Sequence, residues 1–166
     1  MKQILISIKP KWVAKILRGE KTAEIRKTAP KEWVDYLNGK TDKKQPEPYE
    51  VFIYCTKSGL NIEKDCGLGF PERINGKVVA KFTLRKVEEI ICRPICGEWE
   101  SYTKTLGYSE ISQASCLGNR EIVHYLKGNN GYAWHISDLK IFDEPKELSE
   151  FKLTRAPESF CYIEID

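Results

Sequence analysis

Short stretches in which apolar and polar residues alternate recur along the chain, and they predict β-strands separated by short helices. Near the N-terminus, Ile4, Ile6 and Ile8 alternate as expected for one face of a strand. Pro10 follows at a position typical of the first turn of a helix, and Gly19 lies where a helix would end. This segment therefore predicts a strand followed directly by a short helix.

The remaining pattern predicts a mixed sheet with short helices. Further strands are expected over residues 21–27, 51–56, 77–91 (one long strand, with or without a bend), 132–142 (a strand pair or one kinked strand) and 159–165. Helices are expected over residues 28–39 and, as one or two helices, over 109–126, whereas 94–107 show no clear pattern. Strands at such irregular spacing do not form repeated βαβ units, so we expect an α+β fold with a mixed or antiparallel sheet that closes on itself.

The length and composition are those of one globular domain. The 166 residues are 41% hydrophobic and 31% charged, a balance typical of a soluble protein. We expect residues 1–166 to form a single domain with irregular insertions at about 39–48 and 57–76, where glycine, proline and polar residues concentrate. The second insertion is either a functional flap or a simple insertion.

Neither a membrane span nor a disulfide framework is predicted. No apolar run is long enough to cross a bilayer and the N-terminus lacks a signal-peptide core, so we expect a cytoplasmic protein without a membrane partner. The six cysteines are dispersed, as in a reduced protein. Cys92 and Cys96, with His124 and His135 downstream, are too loosely spaced to favour zinc, and no metal or cofactor is expected.

Basic residues concentrate in the first quarter of the chain. Residues 1–45 contain 12 Lys and Arg against 5 Asp and Glu, whereas the other 121 contain 15 against 19. One positive face on a slightly acidic body favours a polyanionic partner such as RNA. The alternative is a set of ordinary solvated lysines.

Acidic and basic residues lie side by side on the strand predicted over residues 21–27. Because side chains alternate along a strand, Thr22, Glu24 and Arg26 share one face, and Lys21 can reach the same space from the strand's beginning. Such a group can bind a polar ligand rich in hydrogen-bonding atoms. The alternative is the solvated face of an edge strand.

Two segments of the sequence resemble a known family. The opening Ile6-Ser7-Ile8-Lys9-Pro10, with Gly19, Lys21, Glu24 and Arg26 in a G-x-K-x-x-E-x-R pattern, resembles the ASCH domain of the PUA-like superfamily. The C-terminal residues 131–136, 145–151 and 156–162 resemble a subgroup common in phages and prophages.

The resemblance implies a small mixed or antiparallel β-barrel surrounded by short helices, with a cleft beside the motif strand. PUA-like domains generally bind RNA, and ASCH domains are usually proposed to bind RNA or modified nucleosides. Some relatives hydrolyse the acetyl amide of N4-acetylcytidine with a lysine, a threonine and a glutamate. Lys21 matches that lysine, but Glu24 occupies the position of the threonine, and Thr22 is the nearest hydroxyl on the same face.

Six residues are candidates for the site: Lys9, Lys21, Glu24, Arg26, Trp134 and His135. Arg26 offers a planar fork of donors for phosphate or a base edge, and Lys21 and Glu24 are the catalytic candidates if the protein is an enzyme. Trp134 either stacks on a base or packs in the core. His135, on the opposite strand face, is a surface residue, a hydrogen-bond partner of the acid–base group, or a general acid–base.

These observations predict a module that binds RNA or a modified nucleoside at the cleft of the Gly19–Arg26 motif. One alternative is a small amidohydrolase or ribonuclease that acts on a modified nucleoside or RNA. A second alternative is a prophage accessory protein that binds another protein.

Overall fold

A computed structural model describes residues 1–41, 44–57 and 74–165. Most of the insertion predicted at 57–76, and part of the one at 39–48, therefore lies outside the described residues. The chain divides into two compact units. The first unit comprises Met1–Glu20, Pro48–Leu84 and Ser137–Asp166, and the second comprises Lys21–Glu47 and Arg85–Ile136.

The described residues form nine strands and four α-helices, numbered here in chain order. The strands are β1 (Lys2–Ile8), β2 (Ala23–Arg26), β3 (Tyr49–Cys55), β4 (Val78–Leu84), β5 (Val87–Ile95), β6 (Glu98–Tyr102), β7 (Gly131–His135), β8 (Ser137–Lys146) and β9 (Phe160–Ile163). The helices are α1 (Pro10–Leu17), α2 (Lys31–Leu37), α3 (Tyr108–Ser115) and α4 (Asn119–Leu126), and a 3₁₀-helix covers Leu148–Phe151. No helix in this described part combines the length and hydropathy that a membrane span requires.

A mixed five-stranded sheet forms the first unit, in the order β8-β4-β3-β1-β9. Strands β1 and β3 run parallel, and the other neighbours are antiparallel. All residues from Ile4 to Ile8 are buried, and not only the alternate ones, so both faces of β1 are covered. The predicted first strand is confirmed.

The helix predicted after β1 is also confirmed. Pro10 is its first residue, where the missing N–H costs no hydrogen bond. Val13, Ile16 and Leu17 are buried, as expected for the apolar stripe of an amphipathic helix. Gly19 has φ +74°, a conformation that glycine adopts without strain, and it ends the helix before the chain enters the second unit.

An antiparallel four-stranded sheet forms the second unit, in the order β2-β7-β5-β6. Helices α3 and α4 contribute to its core, so the prediction of one or two helices over 109–126 resolves into two. The core consists of buried apolar side chains from the sheet and these helices: Ile25, Ile90, Cys92, Ile111, Ile122, Leu126 and Ala133.

Two predictions for the middle of the chain need correction. Residues 77–91 are not one long strand, because β4 ends at Leu84 and β5 begins at Val87 in a different sheet. The unpatterned segment 94–107 contains strand β6, which pairs with β5 through the turn at Cys96 and Gly97. Both turn residues have positive φ, at 51° and 88°, as in a type I′ hairpin turn. Because much of β6 is exposed, alternation did not reveal it.

Gly131 lies at a close approach between β7 and its neighbours. A Cβ atom there would lie 2.4 Å from a methyl of Leu126 and 2.9 Å from the carbonyl oxygen of Arg26. We therefore expect Gly131→Ala to lower the free energy of unfolding by about 1–3 kcal/mol, measured by urea denaturation. Gly107→Ala is the comparison, because its Cβ would only reach ordinary contact with Glu110, so its loss should be limited to the cost of Ala at the N-cap of α3, below about 1 kcal/mol. Equal stabilities of the two variants would contradict this packing.

Candidate functional site

Three charged side chains of the motif form a buried row at the start of the second unit. Lys21 Nζ lies 3.2 Å from Glu24 Oε2, and Arg26 Nε lies 3.3 Å from Glu24 Oε1. The side chains of Lys21, Glu24 and Arg26 are only 2%, 10% and 8% exposed. We call them the motif row. The alternative of a solvated strand face is wrong, because all three residues are buried.

The position of Lys21 depends on the C-terminal end of α3. Its Nζ donates a hydrogen bond to the carbonyl oxygen of Ser115 at 2.7 Å. Ser115 is the last residue of α3, where carbonyl groups lack partners within the helix and carry partial negative charge. The adjacent backbone N–H of Thr22 donates to the carbonyl of Ala114 at 2.8 Å. The helix end thus fixes the chain just before β2 and accepts the ammonium group.

The Glu24 carboxylate forms ion pairs with both cations of the motif row. Burying charged groups is costly unless they are paired, and the Lys21–Glu24 and Glu24–Arg26 contacts provide that pairing. A buried cluster of charged side chains of both signs is unusual outside functional sites, which makes the row a candidate binding site.

Tyr125 of α4 and Lys27 extend the motif row to the surface. Tyr125 is 39% exposed, and its hydroxyl lies within hydrogen-bonding reach of Arg26. Burial raises the pKa of that hydroxyl, although the neighbouring Arg26 opposes the rise. The exposed Lys27 places Nζ 5.2 Å from the centre of the Tyr125 ring. The sequence analysis missed Tyr125, since its only signal was an aromatic residue at a polar position of a helix.

Trp134 is a core residue. It is fully buried, opposite Glu24 in the β2–β7 pairing, and its Nε1 donates to the carbonyl oxygen of Thr28 at 3.2 Å. The ring therefore has no exposed face on which a base could stack. Of the two alternatives for Trp134, packing in the core describes the structure, and the stacking role does not.

His135 contacts an acid, but not one from the motif. Its Nε2 lies 2.7 Å from Glu88 Oε2, and its register partner on β2 is Ala23, so it lies on the sheet face opposite Glu24. Burial lowers the pKa of His135, although Glu88 opposes this shift. The shift favours the neutral imidazole over the imidazolium, and an N–H on Nε2 can donate to Glu88.

Glu88 is the centre of a second polar cluster that the sequence analysis missed. It accepts hydrogen bonds from Thr103, at 3.1 Å, and from Thr105, and its Oε2 lies 3.0 Å from Lys86 Nζ. Burial alone would raise its pKa, but the hydrogen bonds from Thr105, Lys86 and His135 outweigh this effect and lower the pKa to about 2. The carboxylate is therefore ionised throughout the physiological range.

Lys9 belongs to the first unit, whereas the other five candidates belong to the second. It is exposed and precedes α1 as its N-terminal cap residue. Of the six candidates, the structure brings Lys21, Glu24 and Arg26 into direct contact.

Comparisons with known proteins identify a shared fold. No protein-family model matches the sequence, and no curated protein matches it. Solved structures of ASCH from Zymomonas mobilis do match. The unsubstituted protein is 17% identical with a TM-score of 0.60, covering 98% of this chain and 88% of that one. A Tyr-to-Phe mutant of it is 16% identical with a TM-score of 0.61, covering 99% of this chain and 91% of that one.

The structural neighbours are thus ASCH proteins over nearly the whole chain. The α+β fold class expected from the sequence is confirmed, and the resemblance to the ASCH domain holds at the level of the fold. The assignment to a phage or prophage subgroup stays a prediction.

Proposed function

We propose that this protein is an RNA-binding module, able to accept RNA or a modified nucleoside at the motif row. In this proposal, residues 1–166 work as one ASCH-like domain in the cytoplasm. The observation that carries it is the buried carboxylate of Glu24 between Lys21 and Arg26, with Tyr125 and Lys27 exposed beside it.

The chemistry of these side chains suits a segment of single-stranded RNA. A lysine beside an exposed aromatic ring offers a phosphate contact next to a surface on which a base can stack. Arg26 forms an ion pair with Glu24 and its side chain is only 8% exposed, so its guanidinium has little conformational freedom before a ligand arrives. A pre-oriented cation loses less conformational entropy on binding than a mobile one.

Hydrolysis of a nucleoside amide or of RNA is the second candidate function, and the Lys21–Glu24 contact favours it. The Lys21 ammonium, however, already donates to the Ser115 carbonyl and lies 3.2 Å from Glu24, so it is engaged by groups of the protein itself. Thr22, the nearest hydroxyl, is exposed, whereas Lys21 and Glu24 are buried. We therefore prefer binding without catalysis.

A panel of short single-stranded RNAs and nucleosides tests the proposal. We expect at least one RNA to bind the full chain, measured by fluorescence polarisation, with an affinity that falls as salt rises because phosphate contacts release counterions. Lys27→Ala should weaken binding several-fold. Arg120→Ala is the matched control, since Arg120 is an exposed cation on the same helix as Tyr125.

The same reactions, analysed by chromatography, separate the candidate functions. Unchanged RNA and nucleosides support the binding module, whereas products that depend on Lys21 would replace it with the hydrolase. Absence of RNA binding at low salt, or equal affinities of wild type, Lys27→Ala and Arg26→Lys, would overturn the proposal.

A further inference from the structure

A cavity lies in the second unit between α2 and β5, and it shares no lining residue with the motif row. Its volume is about 310 Å³, at the lower end of the range for small-molecule sites. Trp33, Tyr36 and Leu37 of α2 contribute to the lining, as do Lys86 and the first residues of β5. The cavity can enclose a small organic molecule, and the uncompensated groups of its lining indicate which kind.

Trp33 carries a buried hydrogen-bond donor that lacks a partner. Its side chain is 1% exposed, and within residues 1–41, 44–57 and 74–165 no atom accepts a hydrogen bond from Nε1. The Tyr36 ring packs edge to face with the indole, at 6.0 Å between ring centroids, but a ring face is a weaker acceptor than an oxygen atom. A buried donor without a partner costs free energy, and an acceptor atom of a ligand in the cavity would remove that cost.

Lys104 is a cation of the lining without a counter-ion. It follows β6 and is exposed, and no carboxylate in the described part of the chain pairs with it. Lys86, in contrast, lies 3.0 Å from Glu88 and is therefore compensated. The indole N–H of Trp33 and the ammonium group of Lys104 are both donors, and together they favour a carboxylate as the ligand group.

Glu89 is an anion of the lining without a cation. Asn130 donates to its Oε1 at 3.1 Å, and no Lys, Arg or His among the residues described here contacts it. Glu88 is different, because Lys86, His135 and two threonine hydroxyls already contact its oxygen atoms. An ammonium group on a ligand would supply the counter-ion that Glu89 lacks.

The cavity also offers apolar contact. Leu37 is half-buried, Val87 is buried, and both belong to the lining. Hydrocarbon groups of a ligand would lose contact with water against these side chains, which is favourable. The lining thus presents one uncompensated cation, one uncompensated anion and an apolar surface. Such a lining complements a small molecule that carries one charge of each sign and an apolar group.

We propose that this cavity is a binding site for a free α-amino acid with an apolar side chain. The carboxylate of the amino acid accepts hydrogen bonds from Trp33 Nε1 and from the ammonium group of Lys104. Its own ammonium group donates to Glu89. Its side chain packs against Leu37 and Val87. The proposal does not depend on RNA binding at the motif row, since the two sites share no residue.

Apolar amino acids and their singly charged analogues test the proposal. The full chain is titrated with leucine, methionine and phenylalanine by calorimetry and thermal shift. Each is compared with the amine that lacks its carboxylate and with the acid that lacks its ammonium group. We expect at least one amino acid to bind, and both of its analogues to bind about tenfold more weakly, because each loses a hydrogen bond between charged groups. No binding by any of the three amino acids, or equal binding by the analogues, would overturn the proposal.

Variants assign the two charged contacts. Lys104→Ala should remove the advantage of the amino acid over its amine analogue, and Glu89→Gln should remove the advantage over its acid analogue, because each variant lacks the group that the analogue cannot contact. Lys127→Ala removes an exposed cation of the same unit outside the cavity and is the control. Unchanged amino-acid binding by Lys104→Ala and Glu89→Gln would overturn the proposal. An equal loss in Lys27→Ala would place the binding at the motif row and would also overturn it.

Discussion

We expect Glu24→Gln to lower the free energy of unfolding by about 3–5 kcal/mol, because it removes the anion that compensates two buried cations. Lys21 and Arg26 would remain in a poorly solvated environment, where a neutral amide at position 24 replaces the carboxylate that both cations contact. Neutral acceptors stabilise an ammonium or guanidinium less than a carboxylate does. The loss should be visible in urea denaturation at pH 7.

The chain offers a matched control for this variant. Glu20 also lies between two cations, with Lys15 Nζ at 3.2 Å and Arg18 Nε at 2.7 Å, but its side chain is 44% exposed. Solvent screens such a group, so Glu20→Gln should leave stability within experimental error. If the two variants lose the same stability, burial does not distinguish the motif row from a surface cluster.

Local sequence predicted the elements whose boundaries depend on single residues. Pro10 begins α1 and Gly19 follows its end, because one lacks an N–H and the other adopts positive φ without strain. The alternation of β2 correctly grouped Glu24 with Arg26 and separated them from Ala23. The alternation of β7 likewise placed Trp134 and His135 on opposite faces, which the pairing register of β7 with β2 confirms. These features follow from periodicity alone.

Burial of the motif row could not be predicted from local sequence. Alternation shows which side chains share a face, but not whether another element covers it. Lys21 is fixed by Ser115, which is 94 residues away in sequence, and the expected helical segment 109–126 predicts no helix end at Ser115. Exposed charge is the usual case and favours the solvated alternative, but the structure contradicts it.

The contact between His135 and Glu88 could not be predicted either, because the two residues are distant in sequence. Glu88 is 47 residues away in sequence and lay in the segment predicted as one long strand over 77–91. Because that strand divides between two sheets, the positions on β5 could not be assigned to a face before the structure was known. The Lys21–Ser115 and His135–Glu88 contacts therefore depend on pairing between distant parts of the chain, whereas the helix and turn boundaries depend on neighbouring residues.

Glu88→Gln should lower the free energy of unfolding by about 2–4 kcal/mol at pH 7, because Lys86 and His135 lose a charged acceptor. The effect should depend on pH. The pKa of Glu88 is lowered to about 2 in the folded protein from an ordinary value of 4.5. Its contribution is therefore complete above about pH 4.5 and is lost as the pH falls toward 2.

The pH dependence of the unfolding free energy shows whether the charge of Glu88 stabilises the protein or whether its side chain only fills space. Wild type should lose stability between pH 4.5 and 2, and the difference between wild type and Glu88→Gln should shrink over the same range. His135 adds an earlier loss that starts as the pH falls below its ordinary value of 6.5, because the unfolded chain binds that proton more readily. Glu98→Gln, at an exposed position of β6, is the control. Only a titrating group can make the difference in unfolding free energy between wild type and Glu88→Gln vary with pH. If that difference stays constant down to pH 2, the charge of the Glu88 carboxylate contributes nothing to stability.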